Sequence, residues 1–420
     1  MLTFDTVVVG AGITGLASAY HIKRENPDMN VAVVEKKGTF AQGNTARSAA
    51  GFRDLFSSEV NRKLTSSSIS FYRKVQESGF NLGMKFNGYL FLAGRKFVEC
   101  DVVQGFIREG RARVVEEDEI REAGFNTRPS SEEKALLSVP DIDAGLLGRN
   151  CGIIEPDRLA AYYEGECRRM GVEFLYNTEV RPLRLKPVEP LNYPGEPFLW
   201  QSVHVDTLDT SRGTVRAEQY VLCTDMWTTA LLDPTGIDSH TRPKKRQVFQ
   251  VSGSEISSLV RHPMVEGEDV LPFTILPAHG IIMRPEPKSG SVWFSVADDY
   301  GRPYSFEEDP QPEPEFYERS IVPVVSAYIP AVSRSRVTSM WAGHYAYNTI
   351  DRTHYIFRDL NVIVATGTSG SGIMKGDAAG RIVSALLAGR EKAMLYGGQE
   401  IDVAALGVED RHLPKERIVI

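Results

Sequence analysis

Val7-Val8-Val9-Gly10-Ala11-Gly12-Ile13-Thr14-Gly15, followed by Ala17-Ser18-Ala19-Tyr20, decides how the rest of the chain is read. An apolar strand runs into a G-x-G-x-x-G turn, and a helix opens from the glycines. In such a turn the first glycine allows the tight bend and the second lets the backbone approach a pyrophosphate. The third lets the helix pack close to the strand. The helix N-terminus offers free N–H groups and the positive end of a dipole to the phosphates. A second apolar strand, Val31-Ala32-Val33-Val34-Glu35, ends in an acid 20 residues after Gly15, placed to hydrogen-bond a ribose hydroxyl. A bare glycine pattern says little. Strand, glycines, helix, strand and acid in this order predict a dinucleotide site that starts with Gly10, Gly12, Gly15 and Glu35.

Working outward, 420 residues suffice for two domains or one elaborated one. The net charge of −7 argues against a nucleic-acid partner, which needs a basic face. The cysteines Cys100, Cys151, Cys167 and Cys223 form no C-x-x-C pair, so a reducing compartment is expected. The histidines are scattered without an H-x-x-x-H, and no metal is expected. The start, Met1-Leu2-Thr3-Phe4-Asp5, has no basic n-region, and no apolar run approaches a membrane span. The expected location is cytoplasmic.

Apolar spacing predicts a helix over 57–78, with Val60, Leu64, Phe71, Tyr72 and Val75 on one face. Residues 84–93 read as a hairpin or paired strands. A helix opens at Glu155-Pro156-Asp157 and runs to about Met170. Strands are expected at 172–176, 179–185, 198–206 and 214–223, then at 246–252, 281–284 and 291–297. A last strand, Val362–Thr366, leads through glycines to a helix from about Asp377 to Leu387. This predicts a discontinuous nucleotide-binding domain of residues 1–83, 150–238 and 338–400. A sheet-rich substrate domain of residues 84–149 and 239–337 interrupts it, and 401–420 form a tail. A substrate pocket is expected between the two.

The second glycine loop, Gly367-Thr368-Ser369-Gly370-Ser371-Gly372, also follows an apolar strand and precedes a helix. One dinucleotide needs only one pyrophosphate turn, so this loop suits the other end of the same cofactor. A helix N-terminus aimed at a flavin ring would stabilise negative charge on its reduced form. An ordinary strand–helix turn is the alternative. No second complete G-x-G-x-x-G supports a separate nicotinamide domain.

Gly10 to Gly15, Glu35, Gly43-Asn44-Thr45-Ala46-Arg47-Ser48-Ala49-Ala50-Gly51-Phe52-Arg53, Gly152-Ile153-Ile154-Glu155-Pro156-Asp157 and the Gly367 loop occur in that order. Nearly the whole chain thereby resembles the FAD-dependent D-amino acid oxidase superfamily. The branch it resembles contains sarcosine oxidases, dimethylglycine dehydrogenases and glycine oxidases. Within it, Gly51-Phe52-Arg53 and Trp341 to Asp351 are similar to a mitochondrial flavoprotein that assists assembly of respiratory complex I. The resemblance implies an α/β (α+β) fold, with a Rossmann-like FAD-binding domain of glutathione-reductase type and an interrupting antiparallel-sheet substrate domain. It also places Ile13, Thr14, Lys36, Thr45, Arg47, Ser48, Ala49, Val180, Thr224, Trp227 and Gly343 beside FAD. In the second loop, Gly367, Ser369, Gly370, Ser371, Gly372 and Ile373 join them. Trp227 and Trp341 also read as packing residues. Three departures stand out. His344 falls where monomeric sarcosine oxidases carry a flavin-linking cysteine, and no cysteine lies nearby. Noncovalent FAD is therefore expected, with a histidyl link as the alternative. Asp225 replaces a glycine, and Lys375 is displaced by one position from the family's lysine.

The implied reaction oxidises a C–N bond of a small amino or N-methylamino acid such as sarcosine, glycine or proline, passing a hydride equivalent to flavin N5. The substrate carboxylate calls for a cation, preferably a bidentate arginine. Arg53 is the first candidate clamp, Arg284 the second and Lys375 the third. His344 is the candidate proton relay, because its ordinary pKa lies near physiological pH. If Trp341 to Asp351 is a strand, Tyr345 faces away from His344. The alternatives are a flavin dehydrogenase of 2-hydroxy acids and a flavin-bearing assembly or scaffold protein. The electron acceptor stays open among oxygen, a quinone and an electron-transfer protein, as does homo-oligomer formation.

Overall fold

The computed structural model describes residues 1–409 and 411–418, so the expected tail is described except at positions 410, 419 and 420. The opening strand, Leu2–Val9, pairs in parallel with Val31–Val34 on one side and Gly213–Leu222 on the other. Both of these partners gain a further parallel neighbour, Glu173–Leu175 and Val362–Thr366 respectively. Tyr355–Asp359 and Thr207–Thr210 add antiparallel partners and complete a seven-stranded sheet. Strands buried on both faces are near-continuous apolar runs. Val31–Val34 and Val362–Thr366 are buried at every residue.

Helices cover this sheet. Helix α1 (Ile13–Glu25) rises from the first glycine loop, α2 spans Glu59–Glu77, and α3 spans Pro156–Arg169. Helix α4 (Gly372–Leu387) starts directly from the second glycine loop, earlier than the expected Asp377. This puts Lys375 in its first turn. Helices α1 and α4 touch backbone to backbone: a Cβ at Gly380 would lie 2.6 Å from the Ala17 carbonyl. Small residues at the crossing allow that approach. A buried network ties the helices further, with Asp377 accepting from Arg381 at 2.6 Å and from Tyr163 at 3.1 Å, and lying 2.7 Å from His21.

A second, eight-stranded sheet runs in the order 336–348, 241–252, 291–296, 281–286, 273–275, 89–93, 144–148, 112–116. All of its pairings are antiparallel except 273–275 with 89–93. Several expectations need correction here. Arg336–Asn348 pairs along its length with Thr241–Ser252, so 338–348 belong to this sheet and not to the parallel one. Of the two readings of 84–93, paired strands holds and the hairpin does not, since Tyr89–Ala93 does not fold back on its own neighbour. It is an interior strand, buried almost throughout, and takes Ala144–Gly148 and Phe273–Ile275 as partners. The expected strand over 179–185 is reduced to a bridge between Val180 and Thr210, and that over 198–206 to the pair Val203–His204.

Candidate active site

The glycine loop has the roles that its sequence implies. Gly10 has φ +100°, and a Cβ there would sit 2.6 Å from the Cys223 carbonyl oxygen. A Cβ at Gly15 would lie 1.9 Å from the Gly10 oxygen, so only glycine allows α1 to start against the strand. At Gly12 a Cβ would meet only Thr45 Oγ1, at 3.3 Å, leaving that backbone open to the space in front of it. The Ile13 N–H donates to Thr45 Oγ1 at 3.1 Å. Glu35 is tied to the same loop: its carboxylate accepts from the Ala11 and Lys37 N–H groups, each at 2.8 Å.

A cavity of about 340 Å³ opens in front of this loop and extends to the second one. It brings together Gly10, Gly12, Ile13, Thr14, Glu35, Lys36, Thr45, Arg47, Ser48, Ala49, Val180, Thr224, Trp227, Gly343, His344, Gly370, Gly372 and Ile373. Gly15 and Gly367 lie behind its wall. Gly367 packs on Tyr355, where a Cβ would approach a ring carbon to 2.9 Å. Lys36 and Trp227 Nε1 both reach Glu308, the latter at 2.8 Å, and Arg47 reaches Asp309 at 2.7 Å. Trp227 is therefore more than packing, and Phe306, Glu308 and Asp309 each contact residues that line the cavity. Trp341 donates to the Arg47 carbonyl at 3.0 Å.

A smaller compartment of about 150 Å³ adjoins the cavity and shares Ser48, Ala49, Gly370, Ile373 and Tyr345 with it. Arg53, Lys375, Ser369 and Ser371 line it. Arg53 is buried and donates to the carbonyls of Leu55 at 2.8 Å and Ile418 at 2.9 Å. Lys375 is 1% exposed and donates to Asn61 Oδ1 at 2.9 Å and Ser371 Oγ at 2.8 Å. Arg53 Cζ stands 4.3 Å and Lys375 Nζ 5.1 Å from the centre of the Phe56 ring. Burial, and then the Arg53 charge, pull the Lys375 ammonium down to about 7. Burial likewise lowers Arg53.

Arg284 does not join them. It stacks on Trp293 at 4.0 Å and pairs with Glu286 at 2.6 Å, lining neither space. A buried guanidinium needs a counter-ion, and the acid two residues on supplies it. The expected clamp role is corrected accordingly.

His344 lines the larger cavity and faces Phe306 at 6.3 Å, and neither of its ring nitrogens has a partner among the described residues. Burial, then Arg47 and Lys245, lower it to about 4. Tyr345 projects on the opposite side of its strand and pairs with Tyr347, ring centres 5.8 Å apart. Tyr345 also dictates the second loop: a Cβ at Gly370 would come within 2.4 Å of its ring.

Other lining residues were not proposed as site residues from sequence, although Asp225 was noted as a departure from the family pattern. Asn44 accepts from the His344 N–H at 3.0 Å and donates to Asp225 at 3.3 Å. Asp225 takes φ +46°, accommodating the missing glycine, and accepts from Thr368 at 3.1 Å. Asn44 and Asp225 stood inside stretches already noted. Asn61 and Glu416 carried no local signal. Among the described residues no group of three His, Cys, Asp or Glu side chains is placed to hold a metal. No helix among them is long and apolar enough to cross a membrane.

The glycine cradle, the helix N-terminus, the Glu35 carboxylate beside it and the unpartnered polar edge of His344 suit an elongated dinucleotide with a heteroaromatic ring. The comparisons agree. The chain is similar to FAD-dependent oxidoreductase domain-containing protein 1 of Xenopus laevis, 25% identical over 91% of this chain and 79% of that one. It is 23% identical to glycine oxidase of Bacillus subtilis, over 92% and 94% of the two chains. Among solved structures, L-proline dehydrogenase from P. horikoshii superposes with a TM-score of 0.73, covering 97% of each chain at 21% identity. The family described as FAD dependent oxidoreductase (DAO) matches residues 5–386, and the chain belongs to it.

Proposed function

We propose that this protein oxidises the C–N bond of a small amino or N-methylamino acid. One observation carries the reading: Arg53 and Lys375 are buried side by side around Phe56 in a compartment of about 150 Å³ that opens onto the cofactor cavity. Two adjacent buried cations repel each other and are stabilised by an anion. A carboxylate is the anion that Arg53 can fork, since backbone carbonyls take only part of its donor set. The volume limits the rest of the molecule to a small side chain. The names of glycine oxidase and L-proline dehydrogenase identify small amino acids as the substrates of those proteins.

The residues toward the cofactor divide by region. Gly12, Ile13 and Thr45 would face the pyrophosphate, and Glu35 the ribose. His344, Gly370 and the first turn of α4 would face the ring. FAD, when bound, supplies the two-electron acceptor. The protein holds the substrate carboxylate at Arg53 and Lys375, so that its α-carbon points back toward the shared wall of Ala49, Tyr345 and Gly370. Positioning of this kind lowers the barrier without a catalytic acid pair. Asn61 and Ser371 fix the Lys375 ammonium. His344 stays neutral at physiological pH, so it donates one ring N–H and accepts at the other nitrogen.

The test is anaerobic bleaching of the flavin absorbance by sarcosine, glycine, proline and 2-hydroxyglutarate, offered separately. Bleaching by one of the amino acids is expected. Bleaching by the hydroxy acid alone, or by none, overturns the reading.

A further inference from the structure

Residues 411–418 reach the smaller compartment through one side chain, Glu416. Arg411 fastens one end of this segment. Its guanidinium grips Asp351 at 2.6 and 3.0 Å and stacks on Tyr355 at 4.5 Å. Glu416 fastens the other end, at the start of α2. Its carboxylate accepts from the Ser57 N–H and hydroxyl, each at 2.7 Å, and from the Ser58 N–H at 3.1 Å. Ser57 returns the bond, its hydroxyl accepting from the Arg417 N–H at 2.8 Å. Ile418 is buried, and its carbonyl takes one of the Arg53 donors.

Glu416 is thus an anchored acid that also lines the compartment with Arg53 and Lys375. Burial alone would raise it, but the hydrogen bonds from Ser57, Ser58 and Ile418 outweigh that and hold it below the usual carboxylate range. A fixed negative charge beside two cations does two things. It offsets part of their mutual repulsion, and it leaves room for one further carboxylate but not for two.

We propose that Glu416 is a specificity-determining residue of this compartment, admitting monocarboxylates and turning away acids that carry a second carboxylate. The proposal rests on the reading of Arg53 and Lys375 as the carboxylate site. It adds that the limit on substrate charge comes from the segment 411–418, outside the family match at residues 5–386.

The test uses the FAD-loaded enzyme and the shift of its visible spectrum on titration with acetate and with malonate, without turnover. Wild type is expected to favour acetate. Glu416→Gln, which keeps the length of the side chain, is expected to shrink the acetate-to-malonate preference by about tenfold, the ratio that about 1.4 kcal/mol of charge repulsion amounts to. Glu416→Asp, which keeps the charge, is expected to retain most of the preference. Glu416→Ala reads the same ratio if Glu416→Gln does not retain flavin. An unchanged ratio in the uncharged variant overturns the proposal while leaving the carboxylate site standing. Absence of any spectral shift with acetate overturns both. A changed ratio in an enzyme that no amino acid reduces upholds the role of Glu416 and removes only the C–N oxidation.

Discussion

Arg53 and Lys375, 322 positions apart in the chain, approach the same aromatic ring, that of Phe56, at 4.3 and 5.1 Å. Helix α4 brings the lysine, and the loop before α2 brings the arginine. Both are buried, yet neither has a carboxylate within salt-bridge distance among the described residues. Asn61, Ser371 and backbone carbonyls solvate them instead.

Replacing Arg53 tests the clamp. Arg53→Ala is expected to raise KM for the substrate by roughly thirtyfold or more, equivalent to about 2 kcal/mol for a lost charge-assisted hydrogen bond. Bound FAD, read as the ratio of flavin to protein absorbance, should persist. An unchanged KM would remove Arg53 from the clamp.

Lys375 should make anion binding depend on pH. Its folded pKa of about 7 lies below the ordinary lysine value, so the folded protein loses this proton first as pH rises. Acetate affinity should fall above pH 7, approaching about tenfold per unit, because binding then requires proton uptake. Lys375→Met should weaken binding below pH 7 and abolish this limb. A wild-type affinity that is flat from pH 6 to pH 9 would contradict it. The sign for stability is the reverse: the unfolded chain holds more protons between about 7 and 10.5, so this group's contribution to stability rises with pH across that window.

The two glycines of the first loop should separate folding from cofactor binding. Gly15→Ala forces a methyl into the Gly10 carbonyl and is expected to cost about 3 kcal/mol or more, seen as a lower Tm in denaturation. Gly12→Ala presses only on Thr45 Oγ1, at 3.3 Å, so its Tm without FAD should fall far less than that of Gly15→Ala, while FAD affinity is lost in a titration followed by fluorescence.

His344 should carry no covalent flavin. Acid precipitation is expected to release all flavin into the supernatant, and His344→Gln should change nothing in that assay. With a pKa of about 4, His344 should also leave no step in the pH–rate profile between pH 5 and pH 8. Colour retained in the wild-type pellet and lost in the variant would establish a histidyl link.

Asp225 should weaken the protein above pH 6. Burial raises its pKa to about 6, with the Thr368 and Asn44 hydrogen bonds offsetting part of the effect. The folded state therefore binds more protons than the unfolded state between about 4 and 6, and stability falls as pH rises through that range. Asp225→Asn tolerates the positive φ and is expected to gain about 1–3 kcal/mol at pH 7.5, seen as a higher Tm. The gain should vanish near pH 4.

Much of the candidate cofactor site was legible because its parts are local. Strand, glycines and helix lie within one run from Leu2 to Glu25, and Glu35 follows at the end of the next strand. The steric demands at Gly10 and Gly15 arise inside that run or against its sheet neighbour. The second loop was legible for the same reason. Its helix start was misjudged because Gly372 and Ile373 are weak helix formers, and tertiary packing of α4 on α1 overrides that preference. Arg284 misled because a basic residue on an expected substrate-side strand says nothing about its partner. Glu286 lies two residues away, on the same face, and claims it.

Contiguous residues with a fixed backbone geometry were enough to read the glycine loop, to expect a dinucleotide there and to see which family the chain resembles. Folding settled which cations share a compartment, which neighbours His344 and Tyr345 meet on their opposite sides of the strand, and that Glu416 lines the compartment of Arg53 and Lys375. Those depend on contacts between residues hundreds of positions apart, where burial and the nearest counter-charge, not residue type, set what a side chain can do.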